Sequence, residues 1–148
     1  MGLRSFFQRL FGHVEPDAVL DAAITADGFR FTIARDDGWP APHVRLVRWD
    51  DVQRIELHQV QGGGHGDRIH YLFHTPDMKV RVARTAPGFR TIEDRLPRLP
   101  GFDAWTYAWA QRQQHDMPVP IWEHGKVPET ASRRDLFIHV FGDIALGA

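Results

Sequence analysis

The chain has 148 residues, of which 43% are hydrophobic and 25% are charged. This composition excludes a wholly disordered chain and a fibrous repeat, and the length fits a single domain. The 18 lysines and arginines nearly balance the 19 aspartates and glutamates, which gives a formal net charge of -1. Because that balance creates no general attraction for polyanions, we expect no nucleic-acid partner.

The residues that are missing exclude several kinds of chemistry. The chain has no cysteine, so it has no disulfides, thiolate nucleophiles or cysteine-ligated metals. Its serines, Ser5 and Ser132, lie near the ends and outside any G-x-S-x-G motif. The glycine-rich run at residues 62–66 does not match the dinucleotide fingerprint, and Gly125-Lys126-Val127 does not match the P-loop. We therefore expect no cofactor and no catalytic residues, and we expect a cytoplasmic protein because no secretory signal is visible.

The N-terminal end of the sequence carries large apolar residues at helical spacing. The pattern predicts an amphipathic helix over residues 1–12, ahead of a single α+β domain over residues 19–148. Two interpretations of the apolar side remain open. It docks on protein, either this chain's own sheet or a second copy in a homo-oligomer, or it makes weak contact with a membrane surface. The side chains concerned are Leu3, Phe6, Phe7, Leu10 and Phe11.

Short strand patterns separated by turns occupy the middle of the sequence. Phe29, Phe31 and Ile33 alternate with polar residues, which is the period of a half-buried strand. Turn residues such as Asp27-Gly28 stand between the patterns. We predict an antiparallel meander with strands at residues 19–25, 29–33, 44–49, 53–60, 68–74 and 78–84.

Helical patterns follow the strands. A first predicted helix begins near residue 89, and a second over residues 102–114 is expected to cover the apolar face of the sheet. Pro118 and Pro120 restrict residues 119–122 to an edge strand, and a last helix is predicted after Ser132. The fold class is α+β, with a bent antiparallel meander or partly open barrel covered by C-terminal helices. The packing residues expected from the first two helices are Phe89, Ile92, Leu96, Phe102, Trp105 and Trp109.

A strand–turn–strand run, WDDVQRI at residues 49–55, resembles a step found in bacterial pleckstrin-homology-like (PH-like) domains. The resemblance covers residues 19–96. It implies a strongly bent antiparallel barrel with a helix plugging one end. The first hairpin turn, Ala26-Asp27-Gly28, lacks the lysines that phosphoinositide-binding members carry there, so the resemblance does not imply binding of lipid headgroups.

Histidines collect on one predicted hairpin. A register that sets His58 opposite His70 places Ile55, Leu57 and Tyr71 together on the buried face, which supports that register. The next hairpin then sets Lys79 beside His74 and Arg81 beside Leu72. The predicted outward face holds Arg54, Glu56, His58, His70, Leu72, His74, Lys79 and Arg81.

Three interpretations of this outward face remain open. It is a solvated sheet face, a site for an anion or an acidic protein, or a metal site formed by His58, His70 and His74. The cations Lys79 and Arg81 oppose a bound metal. The sequence therefore predicts a non-enzymatic binding or adaptor module for a protein partner. A small histidine-dependent or metal-dependent enzyme and a membrane-peripheral protein are the alternatives. The side chains expected to bind the partner are Arg54, His58, His70, His74, Lys79 and Arg81.

Overall fold

A computed structural model describes residues 13–34, 42–60 and 69–126 of the chain. These residues form two β-sheets and two short α-helices, an α+β arrangement in which strands predominate. The sequence prediction of a mainly antiparallel α+β domain is confirmed at that level.

One of the two sheets is antiparallel and has three strands, which lie side by side in chain order. Phe29 pairs with Val47, and Phe31 pairs with both Ala22 and Arg45. The side chains of Phe29 and Phe31 are fully buried, as their alternation with polar residues predicted. The strands are β2 (Val19–Ile24), β3 (Gly28–Ile33) and β4 (His43–Arg48).

The turn between β2 and β3 requires glycine for a steric reason. The Gly28 amide donates to Thr25 Oγ1 at 3.1 Å. A Cβ atom at Gly28 would lie 1.9 Å from the Val47 carbonyl oxygen, so only glycine lets β4 approach this closely.

The second sheet has five strands in the order β1-β7-β6-β5-β8. His58 lies opposite His70, and His74 lies opposite Lys79, so both predicted hairpin registers are confirmed. Strand β8 is an edge strand, as its prolines predicted, whereas β1 runs parallel to β7 and was not predicted. The strands are β1 (His13–Val14), β5 (Arg54–Gln59), β6 (Ile69–His74), β7 (Lys79–Ala83) and β8 (Val119–Glu123).

The prediction of one continuous meander is wrong, because the described strands divide into two sheets and do not close into a barrel. Strand β5 pairs with β6 on one side and with β8 on the other, so neither edge of β5 is free to pair with β4. The chain leaves the first sheet at a 3₁₀ turn (Trp49–Asp51). There the Trp49 ring packs against Phe29 with centroids 4.8 Å apart.

The hydrophobic core is built from side chains of both sheets. The Phe73 ring of β6 lies 5.0 Å from Phe29 and 6.0 Å from Phe31 of β3, measured between centroids. Burial of each such ring stabilises the fold by roughly 1.5–3 kcal/mol relative to leaving it exposed. These contacts hold the second sheet, and the histidines on its other face, in a fixed place.

Helix α1 (Phe89–Glu93) packs next to β2. Phe89, Ile92 and Leu96 are fully buried, as the sequence predicted, although Leu96 belongs to a separate 3₁₀ turn (Leu96–Arg98). The Ala22 amide donates to the Pro87 carbonyl at 2.8 Å and so joins β2 to the start of α1.

Helix α2 (Ala104–Arg112) contacts β5 and β8 but turns its tryptophans outward. Ala110 is fully buried and Tyr107 packs against the core. Trp105 is 64% exposed and Trp109 is 43% exposed, so the prediction that they cover the sheet is wrong. The helix begins later than predicted, because Asp103 Oδ1 caps it by accepting from the Thr106 amide at 3.0 Å.

Two predicted helices, over residues 1–12 and after Ser132, lie outside the described residues. No helix in the described part of the chain is long and apolar enough to cross a membrane.

Candidate binding surface

The outward face of the five-stranded sheet, named the histidine face below, holds all eight residues that the sequence predicted. Its centre is not open to solvent, because Leu72 is fully buried and Glu56 is only 9% exposed. Leu72 lies between Glu56 and Arg81 on the two neighbouring strands, where longer side chains flank it. The interpretation as a solvated sheet face therefore does not hold at its centre.

Glu56 is bonded to His74 on the neighbouring strand, and the contact between Oε1 and Nε2 is both a hydrogen bond and an ion pair when the histidine is protonated. The hydrogen bond to His74 lowers the pKa of Glu56, and the charges of Arg54 and Lys79 add to this effect, while burial opposes it. The single carboxylate at the centre of the face is thus ionised and already engaged.

Arg81 connects the two histidines at the other end of the face. Its Nη1 atom donates to His58 Nδ1 at 3.2 Å and to His70 Nδ1 at 3.3 Å. Both Nδ1 atoms must be unprotonated to accept, since a guanidinium can only donate. The histidines therefore position the cation of Arg81.

The pKa of His58 is lower than that of an ordinary histidine, so its neutral form is favoured. Burial lowers its pKa, and the charge of Arg81 lowers it further, while hydrogen bonds to the backbone of His115 and Asp116 partly offset these effects. Its ring also stacks on His115, with centroids 5.8 Å apart and planes at 29°. The His115 ring in turn stacks on the Trp109 ring, with centroids 5.7 Å apart and planes at 16°.

Positive charge exceeds negative charge on the histidine face. Arg54, Lys79 and Arg81 are half-buried, and none forms an ion pair with a carboxylate in the part of the chain that the structure describes. Glu123 lies opposite Arg54 on β8, but its carboxylate is paired with Lys126 at 2.7 Å. The carboxylate of Glu56 is already bonded to His74 and offsets only part of the charge of the three cations, so the remaining positive charge suits an external anion.

The metal interpretation of His58, His70 and His74 does not fit this geometry. Two of the three rings direct Nδ1 at Arg81, and the third is bonded to Glu56. Among the described residues, no group of three or more histidine, aspartate or glutamate side chains is arranged to hold a metal ion.

A second polar cluster, on the other face of the sheet, was missed by the sequence analysis. The Tyr71 hydroxyl donates to Glu93 Oε2 at 2.5 Å and lies 3.1 Å from the Tyr107 hydroxyl. Arg84 Nε donates to the same Glu93 oxygen at 2.9 Å. The sequence does contain an indication of this cluster, because Tyr71 and Tyr107 are the only two tyrosines of the chain and both were predicted on elements that pack together.

Burial dominates the titration of this second cluster. It raises the pKa of Tyr71 and of Tyr107, and the Glu93 charge raises both further. Burial by itself would lower the pKa of Arg84, but the Glu93 carboxylate together with Tyr71 and Tyr107 more than offsets it, and the pKa is raised. The phenols therefore stay protonated as hydrogen-bond donors and do not act as bases.

A pocket of about 620 Å³ opens beside this cluster. Its lining is mainly polar and combines two arginines with two carboxylates. The lining residues are Arg84, Arg90, Glu93, Asp94, Pro97, Tyr107 and Gln111.

Comparison with known proteins identifies no relative. No family model matches the sequence, and neither the curated proteins nor the solved structures gave a match. The resemblance of residues 19–96 to PH-like domains therefore stays a prediction, and function must be argued from the site alone.

Proposed function

We propose that the protein is a non-enzymatic binding module that takes an acidic segment of a protein partner on the histidine face. The observation that carries the proposal is the cluster of Arg54, Lys79 and Arg81, three cations that share one face with a single carboxylate, Glu56, which is already bonded to His74. Arginine in particular binds carboxylates through paired hydrogen bonds.

The histidines support a binding role better than a catalytic one. His58 and His70 accept from Arg81, and His74 is bonded to Glu56, so each ring has a positioning partner. Because Nδ1 of His58 and of His70 accepts from Arg81, each neutral ring carries its proton on Nε2 and has no free nitrogen to take a substrate proton. The enzyme alternative therefore has less support than the binding module.

A protein partner fits better than a nucleic acid. The formal net charge of -1 gives no long-range attraction for a polyanion, whereas a local cluster of cations is sufficient for a short acidic segment. A cytoplasmic location and a PH-like relationship belong to the same proposal. The antiparallel strands are compatible with that relationship, whereas their division into two sheets departs from the single bent barrel that it implies.

The test uses a fluorescein-labelled peptide of alternating glutamate and glycine, called the acidic peptide below, and fluorescence anisotropy at low salt. We expect the wild-type protein to bind it and to ignore a lysine–glycine peptide. The double variant Arg54→Glu/Arg81→Glu should lose binding, and so should Arg54→Glu/Lys79→Glu, which leaves the Arg81 contacts with the histidines intact.

The matched control is Arg30→Glu/Arg48→Glu, which reverses two exposed arginines on the other sheet. Thermal melts followed by circular dichroism check that every variant is folded. Equal binding by the control and by the Arg54→Glu/Lys79→Glu variant would refute the proposal, and so would the absence of any binding by the wild-type protein.

A further inference from the structure

The exposed side of α2 and the loop after it carry a group of large apolar side chains. Trp105 is 64% exposed, Trp109 is 43% exposed and Met117 is 73% exposed. We name these three residues the tryptophan patch. Trp105 and Trp109 are one helical turn apart, so they lie on the same side of α2. Tryptophan is enriched among the residues that dominate binding energy at protein interfaces.

Helix α2 does have a packed side, and the tryptophans do not lie on it. The opposite side of α2 is already used by Tyr107, whose hydroxyl lies 3.1 Å from that of Tyr71, and by the fully buried Ala110. The tryptophans therefore contribute little to the core. Large apolar side chains grouped at a surface mark interaction sites.

The tryptophan patch is physically continuous with the histidine face. The Trp109 ring stacks on His115, and the His115 ring stacks on His58, with centroid distances of 5.7 Å and 5.8 Å. His58 Nδ1 in turn accepts from Arg81. One unbroken column of rings thus runs from the apolar patch to the cationic cluster.

The loop that joins the two surfaces is held in place before any partner arrives. His115 Nδ1 lies 2.9 Å from the Met117 carbonyl oxygen, and its Nε2 lies 3.3 Å from the Ala110 carbonyl oxygen. The ring is therefore fixed between the end of α2 and the chain that leads to β8. A surface that is ordered in advance loses less entropy on binding.

We propose that the partner segment is both acidic and apolar, with carboxylates on the histidine face and an apolar side chain on the tryptophan patch. This inference rests on the proposed function and specifies its partner. Charge complementarity selects this occupant over a second copy of the chain. Exposed Arg112 lies one helical turn from Trp109 on α2, and Arg81 lies at the far end of the ring column. The exposed Asp116 is the acidic residue of the intervening loop.

The test compares the acidic peptide with the same peptide in which two glycines at one end are leucines. We expect the wild-type protein to bind the leucine version roughly tenfold more tightly, which corresponds to partial burial of one leucine. Trp105→Ala should reduce this advantage and leave binding of the acidic peptide unchanged, because Trp105 lies outside the ring column that leads to Arg81. The matched control is Leu46→Ala on the other sheet, where the leucine is 72% exposed.

The outcomes separate the two proposals. If the acidic peptide binds through Arg54 and Lys79 but leucine adds nothing, the inference fails and the proposed function stands. If the acidic peptide does not bind, the proposed function fails. Two further results would overturn the inference: tight binding of a labelled oligouridine RNA that the tryptophan variant loses, and self-association in light scattering that the same variant abolishes.

Discussion

The hydroxyl of Tyr71 shows how one buried atom joins three elements of this protein. It lies on β6, donates to Glu93 of α1 at 2.5 Å, and meets the Tyr107 hydroxyl of α2 at 3.1 Å. Hydrogen bonds to a charged group stabilise a fold more than neutral ones. The bond to Glu93 should therefore be worth more than the bond between the two phenols.

Tyr71→Phe tests this difference. We expect it to lower the free energy of unfolding by about 2 kcal/mol, because the Glu93 carboxylate, whose side chain is only 12% exposed, loses a donor. Tyr107→Phe, which removes only neutral hydrogen bonds, to Tyr71 and Gln111, from a half-buried group, should cost about 1 kcal/mol. Urea unfolding measures both. Equal losses for the two variants would show that the Glu93 bond has no special weight.

The lowered pKa of His58 predicts how stability depends on pH. Between the folded pKa and the ordinary value of 6.5, the unfolded chain holds a proton that the folded chain does not. The free energy of unfolding therefore rises with pH across this window. The contribution is complete above 6.5 and is lost as the pH falls through the window toward the folded pKa.

His58→Asn should remove this part of the pH dependence. The asparagine oxygen can replace Nδ1 as the acceptor for Arg81 but does not titrate. Urea unfolding at a series of pH values below 6.5 should give a flatter profile for the variant than for the wild-type protein. His124→Asn changes an exposed histidine outside the histidine face and serves as the control. A steeper or unchanged profile for His58→Asn would contradict the assignment.

At the scale of elements, Gly88 controls the contact between α1 and β2. Its φ is +80°, and a Cβ atom there would lie 2.0 Å from the Ala22 carbonyl oxygen. Gly125 has a similar φ of +73°, but a Cβ atom at that position would have no neighbour within 4 Å. The two positions thus have a similar φ that is unfavourable for other residues, and they differ only in the room available for a Cβ atom.

We expect Gly88→Ala to destabilise the protein much more than Gly125→Ala. The positive φ alone costs roughly 1–3 kcal/mol at either position, and only Gly88 adds a backbone collision. The difference between the two melting temperatures isolates the cost of separating α1 from β2. Similar melting temperatures would mean that α1 moves away from β2 at little cost.

The hairpins were predictable because alternation and turn residues are local signals. The Thr75-Pro76-Asp77 turn and the apolar set Ile55, Leu57 and Tyr71 were enough to fix which side chains face each other. That register alone assembled the histidine face. Its contacts, such as the donation from Arg81 to two histidines, depend on rotamers that a sequence pattern does not determine.

The orientation of α2 was not predictable from spacing. Phe102, Trp105 and Trp109 follow a helical period, but Tyr107 and Ala110 follow one as well. The larger hydrophobic residues indicated the wrong side, because a hydrogen bond between phenols and the small volume of Ala110 set the packing. Because the packing side of α2 was wrongly predicted, the exposure of the tryptophan patch was not predicted either.

For the whole molecule, the division into two sheets depended on a contact between distant residues. Strand β8 pairs with β5 across more than half of the described chain, and this pairing leaves β4 at the edge of its own sheet. Sequence patterns assigned both strands but contained no information on which would be neighbours. The same pairing brings His115 and Trp109 beside His58 and so joins the two proposed binding surfaces.

The N-terminal segment, residues 1–12, leads directly into this architecture. Strand β1, which follows the segment in the sequence, pairs with β7 from His13 onward, and Val14 is buried. Its charged residues are only Arg4 and Arg9, and the whole chain carries a net charge of -1. Stable attachment to a membrane usually takes a second signal besides one short apolar helix. Docking on protein is therefore the expectation.

Substituting Phe6→Asp/Leu10→Asp in the full chain distinguishes docking on protein from contact with a membrane. If the segment docks on protein, the substitution should lower the melting temperature or the oligomeric state, because it places two carboxylates in an apolar contact. Co-sedimentation with anionic liposomes should be equally low for wild type and variant. Leu46→Asp, at an exposed position of β4, controls for added charge. Strong liposome binding that only Phe6→Asp/Leu10→Asp abolishes, with no change in stability or oligomeric state, would establish a membrane contact instead.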